Sequence, residues 1–320
     1  MIYSIFCVCM VIFYMKKLLI IIIVILNLNS TELISPIPTD IDYNIDKALL
    51  GKKLFHDPRL SSDNTISCAS CHDIKSGGDD DREVSLGVGD KKGNLNSPTI
   101  LNAKFNLSQF WDGRARDLKE QALGPIHNPV EMNNNFNNII EELENDEYYK
   151  EAFKIYESGI TQDNIVDSIV EFEKALTTPQ SRFDQYLLGN EDILSKDEKE
   201  GFELFKDYGC ISCHNGINIG GNLYQKMGVM KEYLPDSSDL GRYNITKKEE
   251  DKYYFKVPTL RNIEQTAPYL HDGSRSNLTD VIKVMIEYQV GITPNDEDIE
   301  KIKSFLKTLN GKIPTIMVDK

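Results

Sequence analysis

Cysteine, histidine and tryptophan are scarce in this chain, whose 320 residues include six cysteines, five histidines and one tryptophan. Cys7 and Cys9 lie at the N-terminus and the other four cysteines fall in two short motifs, so the body of the chain has none left over for disulfides. Basic residues are outnumbered, and the net charge of −14 argues against nucleic acid as a partner. Sustained period-two alternation of apolar residues is absent, which predicts little sheet.

The four remaining cysteines belong to two copies of Cys-x-x-Cys-His, formed by Cys68, Cys71 and His72, and by Cys210, Cys213 and His214. This spacing is typical of covalent c-type haem attachment, because two thiols reach the two vinyl groups of one porphyrin and the adjacent imidazole binds the iron. A zinc or redox site is the alternative. A redox pair does not need the histidine, and a zinc knuckle needs two more ligands. The motifs therefore predict two covalent haem c groups.

Long apolar runs are confined to the N-terminus, where Lys16 and Lys17 precede the run from Leu18 to Leu26. This pattern predicts that residues 1–30 are a secretory signal peptide. Because no clear small-x-small cleavage site follows, a membrane anchor through residues 16–28 is the alternative, and the start stays open between Met1 and Met15. Both readings export the body of the protein. Haem is attached to such motifs after export, so we expect a periplasmic location.

The two halves of the chain repeat each other. The segment 51–55 before the first motif matches 201–205 before the second, and 98–113 matches 258–273 at an offset of 160. Each half ends with an apolar stripe at helical spacing, formed by Ile165, Ile169, Phe172 and Leu176, and by Ile299, Ile302, Phe305, Leu306 and Leu309. We predict a mostly α protein with two cytochrome c-like domains, residues 40–183 and 184–320, each around one haem and related by internal duplication.

The sixth iron ligand is expected to differ between the halves. In the second half, Met285 lies in a helical stretch 14 residues after His271, where its thioether could bind the iron and raise the potential; core packing is the alternative. The first half has no methionine or histidine at the equivalent place. Its nearest polar groups are Gln121 and Glu131, a pair suited to peroxide chemistry above an open iron. A solvated loop acid is the alternative for Glu131.

Several motifs resemble the bacterial diheme cytochrome c peroxidase family, over about residues 51–291. They are Leu54-Phe-His-Asp-Pro-Arg-Leu-Ser61, both haem motifs, Gln109-Phe-Trp-Asp-Gly-Arg114, Asn128-Pro-Val-Glu-Met132 and Thr266-Ala-Pro-Tyr-Leu-His-Asp-Gly273. The resemblance implies an enzyme that reduces hydrogen peroxide with electrons from a small c-type cytochrome or a cupredoxin. It also implies a homodimer.

The resemblance further implies a role for single residues. His72 would be the proximal ligand of a peroxidatic haem with Gln121 and Glu131 in its catalytic pocket, and Trp111 would lie on the electron path between the haems. His214 and Met285 would ligate the electron-transfer haem. One calcium ion would be bound by Asn96 and the main-chain oxygens of Thr266 and Pro268, and oxygen ligands suit such a hard cation.

One position departs from the family pattern. Many members have a histidine that caps the peroxidatic iron in the resting enzyme, and the matching residue here is Val88, which cannot ligate iron. We hypothesise that this haem is five-coordinate and high-spin when oxidised. The nearest substitute is His127, for which an exposed loop position is the favoured alternative. For Arg261 two roles stay open, namely contact with a haem propionate or an ordinary surface ion pair.

Two rival functions follow from the same motifs. One is the related type of diheme enzyme that matures a tryptophan-derived cofactor in a partner protein, which also lacks the capping histidine but has tyrosine where Met285 stands. The other is a non-catalytic diheme electron carrier, which would have no use for the Gln121 and Glu131 pair. Peroxide turnover with a reduced c-type cytochrome distinguishes the three.

Overall fold

The computed structural model describes residues 33–233 and 239–317 of the chain. The predicted leader, residues 1–30, lies outside the described residues. Within them, no helix combines the length and apolar character needed to cross a membrane.

Helices dominate the described residues, as predicted. In chain order they are α1 (Ile45–Phe55), α2 (Leu118–His127), α3 (Phe136–Glu144), α4 (Glu147–Ala152), α5 (Gln162–Ala175), α6 (Arg182–Leu187), α7 (Lys196–Asp207), α8 (Tyr243–Thr246), α9 (Leu278–Val284) and α10 (Asp296–Lys307). Short 3₁₀ turns connect several of them, and a π-helical segment, Met285–Val290, continues directly from α9.

Sheet is limited to two three-residue strands among the described residues. Strand β1 (Tyr224–Lys226) pairs antiparallel with β2 (Tyr254–Lys256), with Tyr224 opposite Lys256. This agrees with the absence of period-two alternation in the sequence.

The first half of the chain is organised by the packing of α1 on α5. The stripe that includes Ile165, Ile169 and Phe172 is buried there, against Leu54 and Phe55 of α1. The backbones approach closely at Gly51, where a Cβ atom would overlap the carbonyl oxygen of Ser168. Only glycine permits this approach, so the helix pair depends on this one residue type.

The second half repeats this arrangement with α7 and α10. A Cβ atom at Gly201 would overlap the carbonyl oxygen of Lys301. Helix α7 begins at Ser195 with a capping box, in which the Ser195 hydroxyl accepts from the Glu198 N–H (3.3 Å) and the Glu198 carboxylate accepts from the Ser195 N–H (2.7 Å). The core of the second half includes the predicted apolar stripe, Ile299, Ile302, Phe305, Leu306 and Leu309.

The loops after the two haem motifs also match in backbone conformation. Asn102 and Asn262 both have left-handed φ angles, 64° and 59°. The next matched pair, Phe110 and Leu270, have φ angles of 66° and 71°. Non-glycine residues rarely adopt this conformation. Its recurrence 160 residues later therefore indicates that the two halves share the same backbone path in these loops.

Arg261 occupies neither of its predicted environments. Its guanidinium is 1% exposed and forms an ion pair with Asp184 at 2.5 Å, while it also donates to the carbonyl oxygens of Ser35 (2.9 Å) and Ile217 (3.1 Å). The expectation of a haem propionate contact or a surface ion pair is therefore wrong. Arginine's several donors allow it to satisfy a carboxylate and two carbonyls at once, which is what makes a buried position tolerable.

We expect the change Gly51→Ala to lower the free energy of unfolding by about 1–3 kcal/mol, because overlap with the Ser168 carbonyl outweighs the gain in helix propensity. Urea unfolding of the haem-loaded protein would measure it. The matched control is Gly93→Ala, where the nearest heavy atom to the new Cβ is 3.6 Å away. An equal loss in both variants would contradict the close-approach argument.

Candidate functional site

The first haem motif lies on the wall of a cavity of about 670 Å³, here called the first cavity. Cys68, Cys71 and His72 all line it, and the motif forms a 3₁₀ turn in which the His72 N–H donates to the Cys68 carbonyl (3.0 Å). The His72 Nδ1 atom lies 3.0 Å from the Gly78 carbonyl oxygen. Because a carbonyl only accepts, Nδ1 donates and Nε2 keeps its lone pair for a metal.

The second motif lies on a cavity of about 320 Å³, the second cavity. Cys210, Cys213 and His214 line it together with Met285. Burial lowers the pKa of His214 to about 4 and also lowers the pKa of His72. Both imidazoles are therefore neutral at pH 7, which is the form that ligates iron.

The surroundings of the cysteines fit haem better than zinc. A structural zinc site usually has four protein ligands. In the described parts of the chain, no group of three or more His, Cys, Asp or Glu side chains is placed to hold a metal ion. Two thiols and one histidine on the wall of a large cavity are the set that covalent haem requires.

Met285 is half-buried, lines the second cavity and is the first residue of the π-helical segment. Such segments occur often at functional sites, because they redirect side chains within a helix. The residue 160 positions earlier is Pro125, which lies in α2 and lines the first cavity. Proline has no side-chain atom that can bind iron, so the two cavities differ at this matched position.

Gln121 and Glu131 both line the first cavity, the cavity that His72 lines. Helix α2 supplies Gln121, and the loop after α2 supplies Glu131, whose Oε1 accepts from the Asn128 side chain at 2.5 Å. Burial raises the pKa of Glu131, and Asn128 and the positive charge of Arg114 partly oppose this. The carboxyl is thus a partly buried cavity group rather than a freely solvated loop acid.

The wall between the two cavities is shared. Residues 96–99 and Trp111 line both of them. The indole Nε1 donates to the Asn96 carbonyl (2.9 Å), and the ring lies edge-on to His271 with centroids 6.3 Å apart. Trp111 is therefore in the position that an electron path between the cavities would need.

Val88 lies beside the catalytic candidates but is buried, with 4% of its surface exposed. Its N–H donates to the Glu131 carbonyl oxygen (2.8 Å), and a Cβ atom at Gly87 would overlap the Val130 carbonyl. The loop is thus packed against the segment that carries Glu131. His127 is exposed at the end of α2, and its ring contacts Phe136 edge-on.

The three residues predicted to bind calcium, Asn96, Thr266 and Pro268, all line the second cavity. The Asn96 Nδ2 donates to the Arg82 carbonyl at 2.9 Å, which leaves Oδ1 as the side-chain atom that could ligate a cation. This arrangement is compatible with a calcium site of few protein ligands.

Two cavity residues escaped the sequence analysis. Glu173 is 5% exposed and lines the first cavity, and burial raises its pKa to about 8. It lies four residues after Ile169, on the stripe of α5 that faces the core, and this spacing was a signal that could have been used. Lys256 is 7% exposed and lines the second cavity. No periodicity marks it, because β2 has three residues.

Comparisons with known proteins agree with this arrangement. Residues 45–192 match the family model described as di-haem cytochrome c peroxidase. Cytochrome c peroxidase Ccp of Escherichia coli (strain K12) is 46% identical over 294 residues, which are 90% of this chain. The chain spans 63% of the length of that relative. Cytochrome c551 peroxidase of Nitrosomonas europaea is 46% identical over 287 residues, 89% of this chain and 86% of that protein.

More distant relatives include MauG and MauG-like proteins. Methylamine utilization protein MauG of Methylophilus methylotrophus is 32% identical over 255 residues, 78% of this chain and 74% of that protein. A solved structure described as a MauG-like protein associated with microbial copper homeostasis superposes with a TM-score of 0.75 at 26% identity, covering 89% of this chain and 95% of that one.

These two peroxidases are thus more similar to this chain than that MauG protein is, and each match extends over about nine tenths of the chain. The chain belongs to the di-haem cytochrome c peroxidase family.

Proposed function

We propose that this protein reduces hydrogen peroxide to water in the first cavity, with electrons that enter at the second cavity from a small c-type cytochrome or a cupredoxin. The difference between the matched positions Pro125 and Met285 is the observation that carries the proposal. Met285 would offer a thioether to an iron held by His214, whereas Pro125 offers no ligand in the cavity that His72, Gln121 and Glu131 line. The identity of the 46% relatives as peroxidases supports the same assignment.

Two covalent haems would be held by the two motifs. The thiols of Cys68 and Cys71, and of Cys210 and Cys213, would form the thioether links, and His72 and His214 would ligate iron through Nε2. When bound, these haems would supply an iron with an open position for peroxide in the first cavity and a one-electron store in the second.

Glu131 would move the proton during peroxide reduction. With Oε1 engaged by Asn128, the free Oε2 takes the proton from the inner peroxide oxygen and returns it to the outer one, which leaves as water. A pKa raised by burial makes this carboxylate a stronger base than an exposed one. Gln121 would orient the peroxide through its amide. Two electrons and two protons convert each peroxide to two waters.

Trp111 would carry electrons between the cavities. Its indole belongs to both walls and is held by the hydrogen bond to the Asn96 carbonyl. The fixed ring shortens the gap that an electron crosses between the two iron sites.

We also propose that the two halves arose by duplication, as haem-binding units 40–183 and 184–320. The repeated helix pairs with glycine at Gly51 and Gly201 and the matched left-handed residues support this. Helix α6 crosses the proposed junction, and its Phe183 packs against Phe305 with ring centroids 5.0 Å apart.

Further expectations concern the setting of the protein. We propose one calcium ion bound by Asn96, Thr266 and Pro268, where a hard cation would stiffen the wall shared by the cavities. Export to the periplasm, by a signal peptide or an anchor in residues 1–30, is required for haem attachment. A homodimer is proposed from the family alone.

The variant Glu131→Gln should reduce peroxide turnover by roughly 10²–10⁴-fold, because the amide cannot accept the proton. Steady-state assays with a reduced c-type cytochrome would measure it, and haem content should stay at two per chain. Glu141→Gln, on the exposed face of α3, is the matched control. Unchanged turnover in Glu131→Gln would refute the assigned role.

The fully oxidised protein should show one high-spin haem and begin turnover without a lag, because Val88 cannot cap the iron. Electron paramagnetic resonance and stopped-flow assays would test this. His127→Ala should leave the spectrum unchanged, since this residue is exposed. A resting spectrum in which both haems are low-spin would contradict the proposal, and loss of that signal in His127→Ala would identify the cap.

A further inference from the structure

The two cavities differ in the charges on their walls. Among the described residues, the first cavity is lined by four acids and one base: Asp112, Glu131, Glu173, Asp239 and Arg114. The base, Arg114, forms an ion pair with Asp112 at 3.1 Å. The only lysine, arginine or acid lining the second cavity in the described part of the chain is Lys256. Within the described residues, the wall of the second cavity therefore carries a positive charge without a paired acid, whereas the one base on the wall of the first cavity is paired.

Lys256 is held in place by its backbone. Its N–H donates to the Trp111 carbonyl oxygen at 2.7 Å, and β2 pairs with β1 at this residue. The side chain is 93% buried, since 7% of it is exposed, and its ammonium makes no hydrogen bond or ion pair with any described residue. Burial lowers its pKa to about 8, with no opposing carboxylate nearby to raise it.

A second donor faces the same cavity without a partner. His271 is 4% exposed, its Nε2 is buried without a hydrogen-bond partner in the described structure, and its ring stacks on Phe255 at 4.2 Å, next to Lys256 in the chain. A buried ring nitrogen without a partner costs free energy unless a bound group supplies an acceptor, and Lys256, whose ammonium has no ion pair with any described residue, lines the same cavity. The haem carried by this cavity has such acceptors, namely its propionate carboxylates.

We propose that Lys256 binds a propionate of the haem in the second cavity and that its positive charge raises the potential of this haem. This rests on the proposed function, in which both cavities hold haem. Reduction adds a negative charge to the haem, so a nearby cation in a medium of low dielectric constant favours the reduced state. Lys256 thus acts through the haem potential and does not contact peroxide.

The axial ligands and the charge of Lys256 contribute separately to the potential of the second haem. A histidine and methionine pair raises the potential whatever surrounds it, whereas a buried charge adds a contribution that can be removed by one substitution while both ligands stay in place. The two contributions can therefore be measured separately.

The test is a spectroelectrochemical titration of both haems in the loaded protein. Lys256→Met removes the charge with little change in length. We expect the electron-exchange equilibrium between the haems to shift about tenfold away from the second haem, which corresponds to a fall of about 59 mV in its midpoint potential. The potential of the first haem should move much less. Lys256→Arg, which keeps the charge, should retain the wild-type value.

Two controls separate this effect from general disturbance. Lys226→Met makes the same change at an exposed position of β1 and should leave both potentials unaltered. Glu173→Gln alters the first cavity and should leave the second haem's potential unchanged. Lys256→Gln gives the same comparison if the methionine variant does not fold.

An unchanged second potential in Lys256→Met and Lys256→Gln, with two haems bound, would overturn the inference. Failure of the proposed function looks different, because it would appear in the wild-type protein as a haem count other than two or as the lack of a methionine-ligated haem. An equal fall of both potentials would also overturn the inference, since it would show that Lys256 does not distinguish the cavities.

Discussion

The wall between the two cavities is the feature on which the rest of the site depends. Residues 96–99 and Trp111 form it, and three hydrogen bonds hold it: the indole to the Asn96 carbonyl, the Asn96 N–H to the His271 carbonyl, and the Lys256 N–H to the Trp111 carbonyl. Both residues of each bond line the second cavity. Because backbone groups make most of these bonds, the wall keeps its shape while side chains on either side differ.

The scaffold of the two halves is repeated while the chemistry on it is not. The helix pair α1 and α5 and the pair α7 and α10 both depend on a glycine against a carbonyl oxygen. On these equal frames the matched positions Pro125 and Met285 differ, and so do the charges on the walls. A stable frame that tolerates different cavity residues would allow the two cavities to take the different roles proposed for them.

Two buried polar groups without partners lie on the walls of the cavities. The carboxyl oxygen Oε2 of Glu173 and the Nε2 atom of His271 are buried without hydrogen-bond partners in the described structure. Such groups lower the stability of a folded protein, and nearly all buried polar atoms in known structures are paired. Their location beside the predicted haem positions indicates that the cofactors take part in the fold as well as in the chemistry.

The sequence by itself determined the haem motifs, the mostly helical class and the core faces of α5 and α10, because cysteine spacing and helical periodicity are local properties of the chain. It also predicted that Gln121, Glu131, Trp111 and Met285 belong to the sites, and each lines the expected cavity. Tertiary structure alone decided the buried pair of Arg261 with Asp184, the shared wall, and the positions of Glu173 and Lys256. These depend on which distant segments meet, and a desolvated charge is recognised only when the surfaces that bury it are known.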